Sequence, residues 1–216
     1  MFVAGSPRTS PVLMWSGEIG YNHMLGATHL DATAFVTRTE NAIAAPGDGL
    51  QTELFLSPAP SVVARFRATG DYTTYGTEIS AYGAIGPLTW RGNYTRTHTD
   101  EQLTPLTLPI PYALSPRSTT PAHKANVTLG YDIGRLSLAG IARYTSSTRQ
   151  FAFSSTPQLL LYRVDNALAL DARAGWRLTH AMELFAAGEN LTVAGGAAVS
   201  PIPADRRVRA GVRIAI

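Results

Sequence analysis

From Leu88 onward, apolar side chains return at every second position with polar ones between them, and this period of two constrains the fold more than any other feature. Successive side chains of a β-strand point to opposite faces, so each such segment is a strand with two unlike sides. Leu88, Trp90 and Tyr94 share one phase, and Thr89, Arg91, Asn93 and Thr95 the other. Ala125, Val127, Leu129 and Tyr131 alternate with Lys124, Asn126 and Thr128. Leu136, Leu138, Ala142 and Tyr144 alternate with Ser137, Ala139 and Arg143, and Ile141 interrupts the polar phase. Leu168, Leu170, Ala172, Ala174 and Trp176 oppose Asp171, Arg173 and Arg177. Last, Val208, Ala210, Val212, Ile214 and Ile216 oppose Arg207, Arg209 and Arg213.

Other architectures fail on elementary grounds. Every apolar run is broken by Arg, Asp, Thr or Gly well before the 18 or so residues that a membrane-spanning helix needs. Long windows with apolar residues at three- and four-residue spacing are absent, which argues against a helical domain. Only 15% of the 216 residues are charged, too few to cover a water-exposed surface in the usual way, yet 45% are hydrophobic, which excludes disorder. There is no cysteine for a disulfide, a thiolate metal site or a nucleophile. The net charge is +3 and Lys124 is the single lysine, so nucleic acid is not an expected partner. Residues 1–8 carry neither the basic region nor the apolar stretch of a secretory signal.

The connections alternate in length. Short ones are expected at Leu25-Gly26-Ala27, Gly86-Pro87, Asp132-Ile133-Gly134 and Thr179-His180, where turn residues or a charge break the alternation. Long ones span residues 41–60, 99–120, 146–162 and 192–205 and hold most of the prolines. Strands of about ten residues, apolar outside and polar inside, with short turns at one end and long loops at the other, describe an antiparallel transmembrane β-barrel meander. The bilayer demands such closure, because backbone polar groups in hydrocarbon must pair internally. Trp15, Tyr21, Tyr82, Tyr94, Tyr131, Tyr144 and Trp176 are expected in the interfacial aromatic belts. The alternative is a soluble all-β sandwich that buries the same aromatics in a core.

Particular segments resemble the strands of TonB-dependent outer-membrane receptors. Ser16-Gly17-Glu18-Ile19-Gly20-Tyr21 is similar to their E-x-G-Y/F strand, and Leu30 to Ile43 looks like the strand that follows it. Tyr75-Gly76-Thr77-Glu78-Ile79 resembles G-x-E-[LIV], and Leu88 to Thr95 the next strand, which ends in Y-[ST]. Pro121-Ala122-His123-Lys124-Ala125-Asn126 is similar to P-x-H-[KR]-x-N, and Met182 to Leu191 contains the E-L-F-x-x-x-E-N-L series, the most specific of the set. Arg206 to Ile216 sits where the last strand belongs. The resemblance implies a 22-stranded barrel filled by a plug, of which residues 1–216, with about nine strands and no plug-like region, are expected to be the C-terminal portion. It further implies uptake of a scarce nutrient such as an iron–siderophore complex. Its partners would be outer-membrane lipid, a small-molecule ligand such as a metal chelate, and TonB by way of a plug.

No catalytic residue, cofactor or metal site is expected. His23, His29, His98, His123 and His180 stand singly, without the spacing that puts two ligands on one metal. His29 and Asp31 share a face and read as a polar pair. Glu183 and Glu189 lie at opposite ends of one strand, too far apart for paired acid–base work. Arg173, Arg177, Arg207, Arg209 and Arg213 cluster on the polar phase; they read first as partners of neighbouring carboxylates, and second as a lining for plug carboxylates or an anionic ligand. Tyr112, Phe151, Phe153 and Tyr162 belong either to a ligand-capturing mouth or to loop packing. The rival functional readings are a small complete outer-membrane barrel, porin-like or enzymatic, and a soluble β-rich binding module.

Overall fold

The computed structural model describes residues 2–4, 10–43, 50–53, 61–65, 68–103, 116–153, 159–192 and 205–214. Among these, nine strands form one antiparallel sheet, and five short strands lie outside it. The strands are β1 Phe2–Ala4, β2 Leu13–Leu25, β3 Thr28–Ile43, β4 Leu50–Glu53, β5 Ser61–Arg65, β6 Ala68–Ile85, β7 Leu88–Leu103, β8 His123–Ile133, β9 Leu136–Thr145, β10 Thr148–Phe153, β11 Leu159–Val164, β12 Ala167–Arg177, β13 Met182–Glu189 and β14 Arg207–Ile214. A single helical turn, α1, covers Pro116–Thr119. The nine-stranded sheet has the order β14-β13-β12-β9-β8-β7-β6-β3-β2, so each strand pairs with the one preceding it along the sheet's own path.

Two compact units divide the chain, and β2, β3, β6 and β7 each contribute to both. The first, residues 1–18, 35–76 and 98–120, holds the long-link ends of those four strands, α1 and a three-stranded sheet of order β1-β5-β4. Arg38 there donates to Glu40 at 2.9 Å and lies 3.8 Å from Asp71. The second unit, residues 19–34, 77–97 and 121–216, holds the remainder of the sheet and the β10–β11 hairpin.

Three of the four short connections are two-residue hairpin turns, Gly26-Ala27, Gly86-Pro87 and Gly134-Arg135. Their glycines have φ of 60°, 57° and 58°, while the second residue of each keeps a negative φ, the pattern of type II′ turns, whose twist suits antiparallel strands. The third turn thus falls later than Asp132-Ile133-Gly134, because Asp132 and Ile133 still pair with Ser137 and Leu136. The fourth, residues 178–181, closes through Leu178 N–H to the Met182 carbonyl at 2.9 Å. The expected long links are less irregular than the sequence suggested. β3 and β7 run into two of them, β4 and β5 pair near the first, and β10 and β11 form a hairpin from the third.

Cross-strand register proves the sorting of faces. One row joins Trp90, Leu129, Gly140, Ala172, Gly188 and Val208; another joins Leu88, Tyr131, Leu138, Ala174, Ala186 and Ala210. Toward the short turns Ile133, Leu136, Trp176, Leu184 and Val212 align, and toward the long links Tyr94, Ala125, Tyr144 and Leu168. Between those two rows each of β8, β9 and β12 spends nine residues, the length a tilted strand needs to cross a bilayer. This face is uncovered: Leu129 is 47% exposed and Val208 76%. A sandwich core would have buried it, and the described residues contain no apolar core on either face.

Candidate functional site

The opposite face carries the charges, and the strands order them into rows. Arg91, Thr128, Ile141 and Asp171 align, as do Thr89, Gly130, Ala139, Arg173, Ala187 and Arg209. Nearer the short turns Arg177, Glu183 and Arg213 form a third row. On this side arginine is tolerated, whereas at mid-membrane on the lipid side each would cost roughly 2–4 kcal/mol.

The E-L-F-x-x-x-E-N-L strand, β13, organises this surface. Glu183 and Phe185 are two residues apart and so face the same way. Both reach Arg173: its guanidinium donates to Glu183 Oε1 at 2.6 Å and lies 5.3 Å from the Phe185 ring centroid. The ring rests over Gly211, its cross-strand partner, where a Cβ would meet ring atoms at 3.1 Å, so the glycine makes room for the phenylalanine. At the other end of the strand Arg209 donates to Glu189 at 2.7 Å. Asn190 then turns into the left-handed region, with φ 53°; its N–H donates to Asp171 Oδ1 at 2.8 Å and its side-chain amide to the Asp205 carbonyl at 3.3 Å. Asp171 takes Arg143 as well, at 2.7 Å. Glu40-Asn41 at the end of β3 repeats the device: Asn41 has φ 55°, its N–H donates to Asp71 at 3.0 Å and its amide to the Pro11 carbonyl at 3.2 Å.

Of the five clustered arginines, the structure pairs Arg173 and Arg209 with carboxylates. Arg177, Arg207 and Arg213 have no carboxylate partner among the described residues, although Arg177 and Arg213 flank Glu183. Tyr82 is not in an interfacial belt. It shares a phase with Glu78 and Ser80 and points to the charged side, stacked on His29 at 4.6 Å between centroids and 3° between planes, with the Arg91 guanidinium 5.3 Å from its ring. Asp31 does not pair with His29; it accepts from Asn22 and from Ser80. Tyr94, Tyr131, Tyr144 and Trp176 do lie on the apolar face.

The other histidines also contact single groups. His23 stacks on Tyr21, His123 shares a 2.7 Å hydrogen bond with the Tyr94 hydroxyl, and His98 contacts Asp100 at 3.1 Å. His180 lies in the link between β12 and β13. Tyr162 donates to Gln150 Oε1 at 3.1 Å across the β10–β11 hairpin. Tyr112, Ile216 and the side chains of Phe151 and Phe153 lie outside the described residues.

A sheet of nine antiparallel strands, apolar on one face and charged on the other over a bilayer's span, belongs to the membrane-spanning β class. The family described as TonB dependent receptor-like, beta-barrel matches residues 4–191, and the chain belongs to that family of transporters, which occupies the Gram-negative outer membrane. Solved structures agree on the fold. The FrpB iron transporter from Neisseria meningitidis matches at a TM-score of 0.66 and 16% identity, over 99% of this chain and 32% of its own. The siderophore receptor PirA from Acinetobacter baumannii matches at 0.65 and 17%, over 98% and 33%. The pyoverdine receptor FpvA from Pseudomonas aeruginosa matches at 0.67 and 13%, over 95% and 30%. The chain thus spans about a third of the length of these proteins. No curated protein sequence matches it.

Proposed function

We propose that residues 1–216 are the C-terminal portion of a larger receptor barrel that takes up a scarce nutrient, such as an iron–siderophore complex, across the outer membrane. TonB would act on a plug seated against the charged face, and the paired and unpaired arginines would line that seat and the ligand's path. The observation that carries this reading is the family match over residues 4–191 together with a register that sorts every apolar row onto one face.

Strand direction supports the larger barrel. β2 and β14 are the first and ninth strands of the meander and therefore run the same way, so pairing them directly would create a parallel contact. Closure by antiparallel pairs alone takes an odd number of further strands. The names of the structural relatives, iron transporter and siderophore receptor, support the nutrient class.

Disruption of the gene in its native host tests the reading. The expected outcome is slower growth on ferric siderophores as the iron source, equal to the defect caused by loss of TonB, with the protein in the outer-membrane fraction. Unchanged growth on every iron source overturns the nutrient class, and recovery in the soluble fraction overturns the membrane role.

A further inference from the structure

The apolar face carries a cation that no protein group answers. On β8, β9, β12, β13, β14 and residues 88–97 of β7, that face holds no Asp, Glu or Lys, and Arg96 is its one arginine. Arg96 is exposed, and its guanidinium has no partner among the described residues. Asp100, farther along β7 in the same phase, contacts His98 at 3.1 Å.

Its place along the strand is specific. Arg96 lies two residues beyond Tyr94, about 7 Å along the strand, on the long-link side of the row that joins Tyr94, Ala125, Tyr144 and Leu168. Tyrosines at the edge of a lipid-facing surface sit at headgroup level, so a long arginine side chain starting beyond them reaches the layer that holds the lipid phosphates. At the short-turn end the same face offers no cation, only Ile133, Leu136, Trp176, Leu184 and Val212.

Directly across from Arg96 stands His123. Thr97 N–H donates to the Ala122 carbonyl at 2.9 Å, which makes those two the hydrogen-bonded pair. Arg96 and His123 are therefore a non-hydrogen-bonded pair, the kind whose side chains approach most closely. The His123 ring stacks on Tyr94 with 22° between planes, and its Nδ1 is held by the Tyr94 hydroxyl at 2.7 Å. Its Nε2 has no partner among the described residues, and with Tyr94 donating to Nδ1 it carries the ring proton outward. Two basic side chains set opposite one another do not attract, and an anion between them satisfies both.

We infer that Arg96 and His123 hold the phosphate group of a membrane lipid in the leaflet on the long-link side. The guanidinium offers a fork of N–H donors that matches phosphate oxygens, and His123 Nε2 adds another. Val127 and Leu129, 43% and 47% exposed on the same face, give the acyl chains an apolar bed that a free phosphate ion would not use. The site requires lipid against the apolar face and is independent of the nutrient and of a plug.

Native mass spectrometry of the full chain released from dodecyl maltoside micelles tests the site. Dioleoyl phosphatidic acid is the probe, and dioleoylglycerol, with the same chains and no phosphate, is the control. One phosphatidic acid is expected to stay on each chain, and dioleoylglycerol is not. Arg96→Gln should weaken retention about tenfold, in line with a charge-assisted hydrogen bond lost. His123→Phe, which keeps a ring on Tyr94 and removes Nε2, should weaken it severalfold. Arg135→Gln, in a short turn at the opposite end of the sheet, should leave it unchanged, and excess inorganic phosphate should not displace the lipid. Should Arg96→Gln not fold, Arg96→Lys, which keeps the charge and loses the fork, is read instead and should weaken retention severalfold. Equal retention of the two lipids, indifference to the Arg96 or His123 substitution, an equal loss in Arg135→Gln, or displacement by inorganic phosphate each overturns the site. None of these results bears on growth with iron sources, which tests the nutrient class separately.

Discussion

Asn190 shows how much one residue carries here. A left-handed backbone suits glycine or asparagine and costs another residue roughly 1–2 kcal/mol, and asparagine adds a side-chain donor that reaches the Asp205 carbonyl. Asn190→Ala is therefore expected to lower stability by about 1–2 kcal/mol, and Asn190→Gly by about half as much, because glycine restores the backbone and loses only the amide. Urea unfolding of the protein in micelles, followed by tryptophan fluorescence, measures the difference; equal losses would mean that the backbone conformation is not what asparagine provides. Phe185→Ala is expected to cost about 1 kcal/mol in the same assay, through loss of the Arg173 contact and exposure of Gly211. At this scale the sequence was partly legible. The E-L-F and E-N-L residues stood out, but that Glu183 and Phe185 converge on one arginine follows from the register of β12 against β13, which no spacing along the chain reveals.

At the scale of the element, the period of two placed the faces of β7, β8, β9, β12 and β14 correctly, since the sheet has unlike solvents on its two sides and every phase error would put arginine in lipid. Leu129→Arg, in the middle of the apolar rows, is thus expected to cost roughly 2–4 kcal/mol, while Thr128→Arg, one position away on the charged face, should be nearly neutral. The folded fraction recovered in lipid vesicles across a urea series measures both, and equal costs would contradict the assignment of faces. Two elements were harder to read. Tyr82 was placed by its aromatic character, although its parity with Glu78 and Ser80 puts it on the charged face. The β10–β11 hairpin hid in a link because its strands are six residues each, too short for alternation to stand out.

For the whole molecule, the number of sheet strands and their sequential order were legible because neighbours in the meander are neighbours in sequence. The parallel pairing of β1 with β5 was not, since it joins Phe2 to Val63 across a separation that local pattern cannot report. With one face apolar over the length of a bilayer span and no apolar core among the described residues, the chain is expected to show β-sheet circular dichroism in detergent micelles and to lose it, or precipitate, when detergent is removed. A stable β signal in plain buffer would favour the soluble alternative.

The meander order also bears on how the sheet is built in time. Every pair in the nine-stranded sheet joins strands that are adjacent along its own path, so it can grow by one hairpin at a time, each step closing a short loop. Loop-closure entropy rises only with the logarithm of loop length, so even the longer links between β3 and β6 or between β7 and β8 add only about 2 kcal/mol to a step relative to a two-residue turn. In the proposed larger barrel the slow, long-range event is left to the pairing of the edge strands β2 and β14 with further strands, and that closure should set the rate at which the complete barrel matures.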